Sequence, residues 1–159
     1  MDDPIEDDGP LTPLDPAYRS VMRIVTAIWL AILLVPVIAA EVVIPGWHGV
    51  VAVPYLLLAS AILLRLPQRR WQARGYVMAD ERLRVVRGLL FHSDTVVPFG
   101  RVQHIDVDQG PLERAYEIAT LTVHTAGSHN ASVHLPGLKH ADALAMRDAI
   151  RAAIRRDTL

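Results

Sequence analysis

Histidine and aspartate side chains in the second half of the sequence have spacings that could bind a metal ion or move protons. His104 and Asp106 lie two positions apart in a segment that alternates between polar and apolar residues. Such alternation is typical of a β-strand, in which every second side chain points to the same face. His124 and His134 lie in two further segments of this kind. Imidazole nitrogens and carboxylate oxygens are common ligands of zinc, so these four residues are candidates for a metal site.

The pairing of the two strands that carry His124 and His134 determines whether these rings meet. Both strands must turn their apolar residues inward. This requires that the sequence numbers of any two residues that face each other across the pair add up to an even number. A sum of 258 places His124 opposite His134, with Cβ atoms about 5 Å apart. A sum of 256 places His124 opposite Ser132 and His134 opposite Thr122. The sequence leaves both registers open.

Motifs that would strengthen a metal or catalytic site are missing from the sequence. The chain has no His-Glu-x-x-His, no phosphate-binding loop and no Gly-x-Ser-x-Gly. Cysteine is absent, which excludes thiolate nucleophiles, disulfides and iron–sulfur sites. Asp106 and Asp108 share a strand face, as paired catalytic carboxylates do, but polar residues on strands usually contact only water. We expect no catalytic residues, no bound metal and no cofactor, and a metal-dependent enzyme is the least favoured alternative.

Two long uncharged segments precede these strands. Residues 24–40 form a run of 17 without a charged side chain, and residues 47–64 form a run of 18 that contains no Asp, Glu, Lys or Arg and one histidine. A surface helix of a soluble protein would carry polar residues at helical spacing, and neither run does. The runs predict a transmembrane helical hairpin within residues 19–73, with helices over about 24–44 and 47–66.

Arginines flank the two runs on their outer sides, and the short link between the runs has neither Lys nor Arg. Positively charged flanks remain on the cytoplasmic side of a membrane. We therefore expect a multi-pass protein of the cytoplasmic membrane with both termini in the cytoplasm. An acidic leader and a long apolar run favour an anchor over a cleaved signal peptide. The arginines expected to face lipid headgroups as basic anchors are Arg65, Arg69, Arg70 and Arg74.

Charge is distributed unevenly along the chain. The net charge is −1, and a hydrophobic share of 52% with a mean hydropathy of +0.26 exceeds that of an ordinary soluble domain. Residues 1–18 contain six acids, four prolines and no base, whereas the remainder has 16 bases against 11 acids. We predict that residues 1–18 form a disordered acidic tail. Arginine richness alone does not indicate a nucleic-acid partner, and we expect none.

Residues 74–159 have the pattern of a small cytoplasmic α+β domain. Short alternating segments predict antiparallel strands, one of which has Gln103, Ile105 and Val107 on one face and His104, Asp106 and Asp108 on the other. Residues 139–156 then repeat apolar side chains at helical spacing, with arginines on another face. A basic amphipathic helix can rest on lipid. Because the strands need a cover, we expect this helix to pack on the sheet instead.

A series of short motifs follows the two apolar runs. These are Arg82-Leu83-Arg84-Val85-Val86-Arg87-Gly88-Leu89-Leu90, Val97-Pro98, Arg101-Val102-Gln103-His104-Ile105, Gln109-Gly110-Pro111-Leu112-Glu113-Arg114, and the segment from Ala119 to Gly127. In this order they resemble the YdbS-like bacterial pleckstrin-homology (PH) membrane proteins, over roughly residues 17–155. The resemblance implies an α+β membrane protein without catalytic activity, in which a transmembrane helical hairpin precedes a PH-like antiparallel β-sandwich capped by a C-terminal α-helix.

The resemblance also implies where a lipid headgroup would bind. PH modules hold phosphoinositides with bases around the first strand–turn–strand, and that turn corresponds here to residues 79–81. Asp80 and Glu81 make the turn acidic, whereas a phosphate site needs converging cations without neighbouring carboxylates. We expect no headgroup site at this turn, and a lipid-sensing domain is an alternative to the leading function.

The leading prediction is a non-enzymatic interaction or assembly module at the cytoplasmic membrane. Its expected partners are the lipid bilayer and other membrane or envelope proteins, with a homo-oligomer as a further possibility. Open strand edges invite pairing with another chain. The candidate partner-binding residues are Arg101, Gln103, His104, Asp106, Gln109 and Arg114. The alternative for them is structural, with Gly110 and Pro111 shaping a turn and the polar groups binding buried backbone.

Overall fold

The fold is known from a computed structural model, which describes residues 9–43, 49–79, 81–89, 91–126 and 132–157. Two long helices come first: α1 spans Pro16–Val43 and α2 spans Ala52–Gln72. They lie side by side and antiparallel. At one end, Nη1 of Arg19 donates to Oε1 of Gln68 at 2.9 Å. At mid-length, the Tyr55 hydroxyl donates to the Leu30 carbonyl.

The opposite ends of these helices are joined by a side-chain cap. The carboxylate of Glu41, in the last turn of α1, accepts the N–H groups of Gly49, Val51 and Ala52 at 2.6, 2.8 and 2.9 Å. The first N–H groups of a helix have no partner within the helix, and a carboxylate also complements the helix dipole there. Glu41 of α1 thus caps the start of α2.

Both helices continue past the apolar runs on the side of the β-sandwich. α1 begins at Pro16, because Oδ1 of Asp15 accepts the Ala17 N–H at 2.7 Å and proline fits the first helical position. α2 continues to Gln72. Hydropathy marks the apolar stretch of a helix, whereas capping and hydrogen bonding determine where the helix ends. Residues 44–48, which include part of the predicted second span, lie outside the described residues.

The remaining elements form a sandwich of two antiparallel sheets, with the strand orders β1-β2-β3-β4 and β5-β6-β7. The first sheet contains β1 (Thr12–Pro13), β2 (Arg74–Met78), β3 (Arg82–Arg87) and β4 (Ser93–Pro98). The second contains β5 (Val102–Asp108), β6 (Ile118–Thr125) and β7 (Ser132–Lys139). The connecting elements are a 3₁₀ turn (Phe99–Arg101), the short helix α3 (Pro111–Ala115) and the terminal helix α4 (His140–Asp157).

Apolar side chains from both sheets and from α4 form one core. Leu83 of β3, Leu121 of β6 and Ile150 of α4 are fully buried. Alternation along each strand turns these residues inward, and burial of each such side chain stabilises the fold by about 1.5–3 kcal/mol. Ala143 and Ala153, on the same stripe of α4 as Ile150, are also buried. The terminal helix therefore packs on the sheets, as its pattern predicted.

The segment ahead of α1 is part of the sandwich. Strand β1 pairs with β2 as an added edge strand, and Leu14 is only 2% exposed within the core. The disorder predicted over residues 1–18 does not hold for residues 12–18, while residues 1–8 lie outside the described part. An acidic, proline-rich composition predicts disorder because it offers little apolar surface. Because α1 already fixes the position of the chain next to this segment, burial of Leu14 requires only a few more residues to become ordered. The entropy cost is therefore small compared with the burial that Leu14 gains.

Candidate functional site

Two histidines and one aspartate meet on the outer face of the second sheet. The pairing of β5 with β6 places His104 directly opposite His124, with ring centroids 6.0 Å apart. Asp106 follows His104 on the same face of β5. Its Oδ1 is 2.7 Å from Nε2 of His104, and its Oδ2 is 3.3 Å from Nε2 of His124. Both imidazoles thus face one carboxylate, and we call His104, Asp106 and His124 the His–Asp cluster.

The second nitrogen of the His124 ring also has a partner. Its Nδ1 lies 2.8 Å from Oγ of Ser132 on β7. When Nε2 of His124 donates to Asp106, Nδ1 of the neutral ring accepts from the Ser132 hydroxyl. His134 lies opposite Thr122, with Nδ1 at 3.1 Å from the threonine Oγ1. The chain therefore adopts the register with the sum of 256, and His134 stays out of the cluster.

The His–Asp cluster lacks the geometry of a metal site. Within the described part of the chain, no group of three His, Cys, Asp or Glu side chains is arranged to hold a metal ion. The side chains of His104 and Asp106 are 65% and 42% exposed, so the cluster lies on an open strand face. Small-molecule sites are usually concave and enclose most of the ligand. An open face of this kind is suited to directional hydrogen bonds with a larger partner.

Arg101 and Gln103 lie next to this cluster and are exposed. The alternating pattern placed Gln103 on the same strand face as Ile105, but Gln103 is exposed while Ile105 is buried. The pairing of β5 with β6 shifts between Val102 and His104, which marks a β-bulge. An extra residue in one strand changes which way the local side chains point. Gln103 therefore lies outside the core, whereas Ile105 remains buried.

Gln109 and Arg114 lie beyond the far end of β5, on a different surface. The Gln109 side-chain amide donates to the Ile118 carbonyl at 2.7 Å, so it binds backbone as the structural alternative proposed. Arg114 is exposed on α3. Both residues line a groove of about 620 Å³, together with Tyr116 and His140. The residues predicted as one interface are thus divided between two surfaces.

Glu113 shapes the turn between these surfaces and was missed as a polar anchor. Its Oε2 accepts the Gly110 N–H at 2.8 Å, and its Oε1 accepts the Thr120 hydroxyl at 2.9 Å. The first bond is the carboxylate half of a capping box, in which Gly110 caps the helix and Glu113 lies three positions later. This spacing was a signal available in the sequence. Glu113 thereby fixes α3 against β6.

The four predicted basic anchors lie along the end of α2 and the start of β2. Arg65 and Arg69 are exposed and one helical turn apart, so they share one stripe of α2. Arg70 and Arg74 instead border a groove of about 500 Å³ where α2 leads into β2. The structure thus places the arginines in two pairs, of which the second lines the groove between α2 and the sandwich.

Arg87 and Phe91 complete this groove, and sequence reasoning missed both. Arg87 lies directly opposite Arg74 in the pairing of β2 with β3. Phe91 follows in the connection to β4 and is 88% exposed. The phenylalanine is visible in the sequence, but only the folded structure shows that it lines the same groove as the arginines.

Comparison with known proteins agrees with this architecture. The family model described as bacterial PH domain matches residues 20–154. The chain belongs to the bacterial PH domain family. This membership confirms the resemblance drawn from the motifs, and the two sheets capped by α4 are the PH-like fold. No enzymatic activity is indicated by the family description.

Two proteins illustrate what this bacterial PH protein is similar to. The UPF0699 transmembrane protein YdbS of Bacillus subtilis (strain 168) is 30% identical over 153 residues, which cover 92% of this chain and 94% of the relative. A solved DUF1696 family protein with a pleckstrin-homology domain, from Shewanella loihica PV-4, is 18% identical with a TM-score of 0.41. That likeness covers 54% of this chain and 74% of the solved chain.

The term transmembrane describes the relative. In this bacterial PH protein, α1 is the one helix among the described residues whose length and apolar composition suffice to cross a membrane. Family membership, the transmembrane relative and α1 together fit a membrane-associated PH-like protein.

Proposed function

We propose that this chain is a non-enzymatic, membrane-anchored module that assembles with other proteins at the cytoplasmic membrane. In this proposal α1 and α2 form a transmembrane hairpin, and the sandwich lies on the cytoplasmic side. The observation that carries the proposal is the exposed apolar surface of both helices. It includes Ile32, Leu33, Val35, Leu57, Leu58 and Leu64.

The contact between the two helices covers only part of this apolar surface. Leu30, Leu34, Tyr55 and Ala59 line the space between them, while the other apolar faces point outward. Each leucine or isoleucine that stays in water forgoes about 1.5–3 kcal/mol of burial, and monomeric soluble proteins rarely expose apolar patches of this extent. The hydrocarbon of a bilayer removes that cost, because it is as apolar as the side chains.

Arginines support the cytoplasmic orientation. Arg19 and Arg23 lie in the first turns of α1, and Arg65 and Arg69 lie near the end of α2. These ends adjoin the sandwich, whereas the link at the other end has no Lys or Arg in its sequence. Because short basic flanks are retained in the cytoplasm, the sandwich and both termini belong on that side.

A topology reporter tests the anchoring. Alkaline phosphatase, which is active only outside the cytoplasm, should be inactive when fused after Leu159 and active when inserted within residues 44–48. Replacing Arg65 and Arg69 with alanine should weaken this bias, because the orientation depends on the summed bases. Arg151→Ala, on an exposed position of α4, is the matched control and should leave it unchanged. The opposite reporter pattern would contradict the orientation.

The His–Asp cluster, with Arg101 and Gln103 beside it, is the proposed protein-contact surface. It presents imidazole, carboxylate, amide and guanidinium groups along β5, which is an edge strand of its sheet. Exposed edges offer unpaired backbone groups to a partner strand, and charged side chains around them determine which partner is accepted. The openness of the cluster favours binding over catalysis.

Partner association can be measured separately from folding. We expect the double variant Arg101→Ala/Gln103→Ala to reduce co-purification of partners from native membranes about fivefold or more. Its melting temperature and its membrane fraction should stay unchanged, because both side chains are exposed. Arg155→Ala, on an exposed position of α4, is the matched control. A loss of association that follows a lower melting temperature would indicate a structural role, and unchanged recovery would exclude this surface.

A further inference from the structure

A cationic groove lies where α2 meets the sandwich. The Gly88 N–H donates to the Ala73 carbonyl at 3.2 Å, which ties the turn after β3 to the end of α2. The groove between them measures about 500 Å³. We call it the base groove and define it by Arg70, Arg74, Arg87, Leu89 and Phe91.

The base groove concentrates positive charge. Arg74 and Arg87 are direct cross-strand partners, an arrangement of like charges that is destabilising by itself. Arg70 borders the same groove, and no carboxylate is among the described residues that line it. Nη1 of Arg74 donates to the neutral Tyr18 hydroxyl at 2.7 Å. Arg70, Arg74 and Arg87 thus line one groove, and clustered arginines are suited to bind a phosphate.

Apolar side chains lie directly beside these cations. Phe91 is 88% exposed and Leu89 is 41% exposed, in the turn between β3 and β4. Leu66, on the last turns of α2, lines the same groove. Cations next to exposed apolar groups complement a ligand that joins a negative headgroup to an apolar chain. A free phosphate would make no use of Phe91.

The location of the groove identifies the source of such a ligand. The end of α2 is where the proposed hairpin leaves the bilayer, so the base groove lies at the level of the lipid headgroups. We propose that it binds the phosphate of an anionic phospholipid from the cytoplasmic leaflet, with Phe91 and Leu89 beside the glycerol and acyl chains. This inference rests on the proposed membrane anchoring. It assigns a site at the opposite end of β2 and β3 from Met78 and Arg82, between which the acidic sequence segment lies.

The test uses the full chain purified in a neutral detergent, titrated with short-chain phosphatidylglycerol and, separately, with short-chain phosphatidylcholine. We expect the anionic lipid to bind more tightly. Arg87→Ala should weaken its binding about fivefold, and Arg70→Ala/Arg87→Ala about 25-fold, since each base near a lipid surface contributes about 1 kcal/mol. Phe91→Ser should also weaken binding, and Arg87→Lys should retain most of it. Arg155→Ala, exposed on α4, is the matched control without effect.

Further readouts separate the outcomes. A structural role for Arg87 predicts a lower melting temperature for Arg87→Ala, whereas removal of a like-charge pair predicts an unchanged or higher one. Equal binding of both lipids, unchanged binding by Arg87→Ala, or full competition by inorganic phosphate would overturn the lipid site. Alkaline extraction of native membranes tests the anchoring independently. Release of the wild-type chain would overturn the proposed function, and retention without lipid preference would overturn only the base groove.

Discussion

Arg84 and Asp94 show what a single side-chain pair contributes on the exposed face of the first sheet. Nε and Nη2 of Arg84 donate to Asp94, the shortest bond being 2.6 Å between Nη2 and Oδ2. These hydrogen bonds hold the pKa of Asp94 below its ordinary value, against the opposing effect of partial burial. The pair also joins β3 to β4, so it supports the two strands that lead into and out of the base groove.

The lowered pKa of Asp94 predicts a pH dependence of stability. A carboxyl group whose pKa falls on folding stabilises the folded state above its unfolded pKa of about 3.9, and this contribution is lost as the pH falls through the folded pKa. We expect Asp94→Asn to lower the free energy of unfolding by about 0.5 kcal/mol at pH 7, as for other exposed pairs. The difference from wild type should shrink as the pH falls below about 4 and the Asp94 carboxylate becomes protonated.

Denaturant unfolding of the full chain in detergent measures this difference when it is repeated from about pH 2 to about pH 7, a range that spans the titration of a carboxyl group. Arg84→Gln/Asp94→Asn completes the double-mutant cycle, in which the coupling between the two residues should show the same pH dependence. A difference that stays constant across this range would contradict the assignment to the Asp94 charge.

At the scale of elements, the junction between α1 and β7 attaches the long helices to the sandwich. The Asp15 N–H donates to the Gly137 carbonyl at 2.8 Å. Gly137 has a φ of +73°, and a Cβ there would lie 2.5 Å from Cγ of Tyr18. Glycine is required by both the left-handed backbone and the close approach of the tyrosine ring. The first turn of α1 can therefore contact β7 directly.

We expect Gly137→Ala to destabilise the full chain by about 2–4 kcal/mol, from the left-handed conformation and from overpacking against Tyr18. The melting temperature in detergent measures the effect. Gly100→Ala is the matched control, because a Cβ at Gly100 would meet nothing within 4 Å, and it should change stability by less than about 0.5 kcal/mol. Equal melting temperatures for the two variants would mean that the α1–β7 contact is not maintained in the protein.

At the scale of the whole molecule, the helices and the sandwich share one core. Leu14 is buried among core residues of the sandwich, and Tyr18 and Trp71 pack against the same core. The indole N–H of Trp71 lies 3.0 Å from the Leu14 carbonyl and 3.2 Å from the Asp15 carbonyl, to which it donates. The sandwich is thus completed by residues on both sides of the proposed membrane hairpin, and the hairpin is not a flexible tether.

This shared core predicts that residues 74–159 form an unstable fragment on their own. Loss of a buried leucine costs about 2–5 kcal/mol, which is a large part of the stability of a small domain. We expect Leu14→Ala in the full chain to lower the free energy of unfolding by that amount, and the isolated fragment to be less stable still. Amide hydrogen exchange of β2 and β7 measures both. Full protection of the fragment would contradict a shared core.

Patterns within the sequence determined the elements and the family. Alternation along residues 101–108 and 120–125 predicted β5 and β6, and the helical stripe through Ile150 predicted α4. These predictions succeed because inward and outward positions repeat over a few neighbouring residues. The order of the motifs after two apolar runs then led to the PH-like fold, which family membership confirms.

The tertiary structure alone decided which side chains meet. The register that separates His124 from His134, the bulge that exposes Gln103, the burial of Leu14 and the pairing of Arg74 with Arg87 all depend on contacts between separate segments. Two strand registers that differ by two residues turn the same side chains inward, so the pattern of apolar residues along each strand does not distinguish them. The choice depends on hydrogen bonds and packing that form only when the whole sandwich closes around its core, and this is why the base groove was not apparent in the sequence.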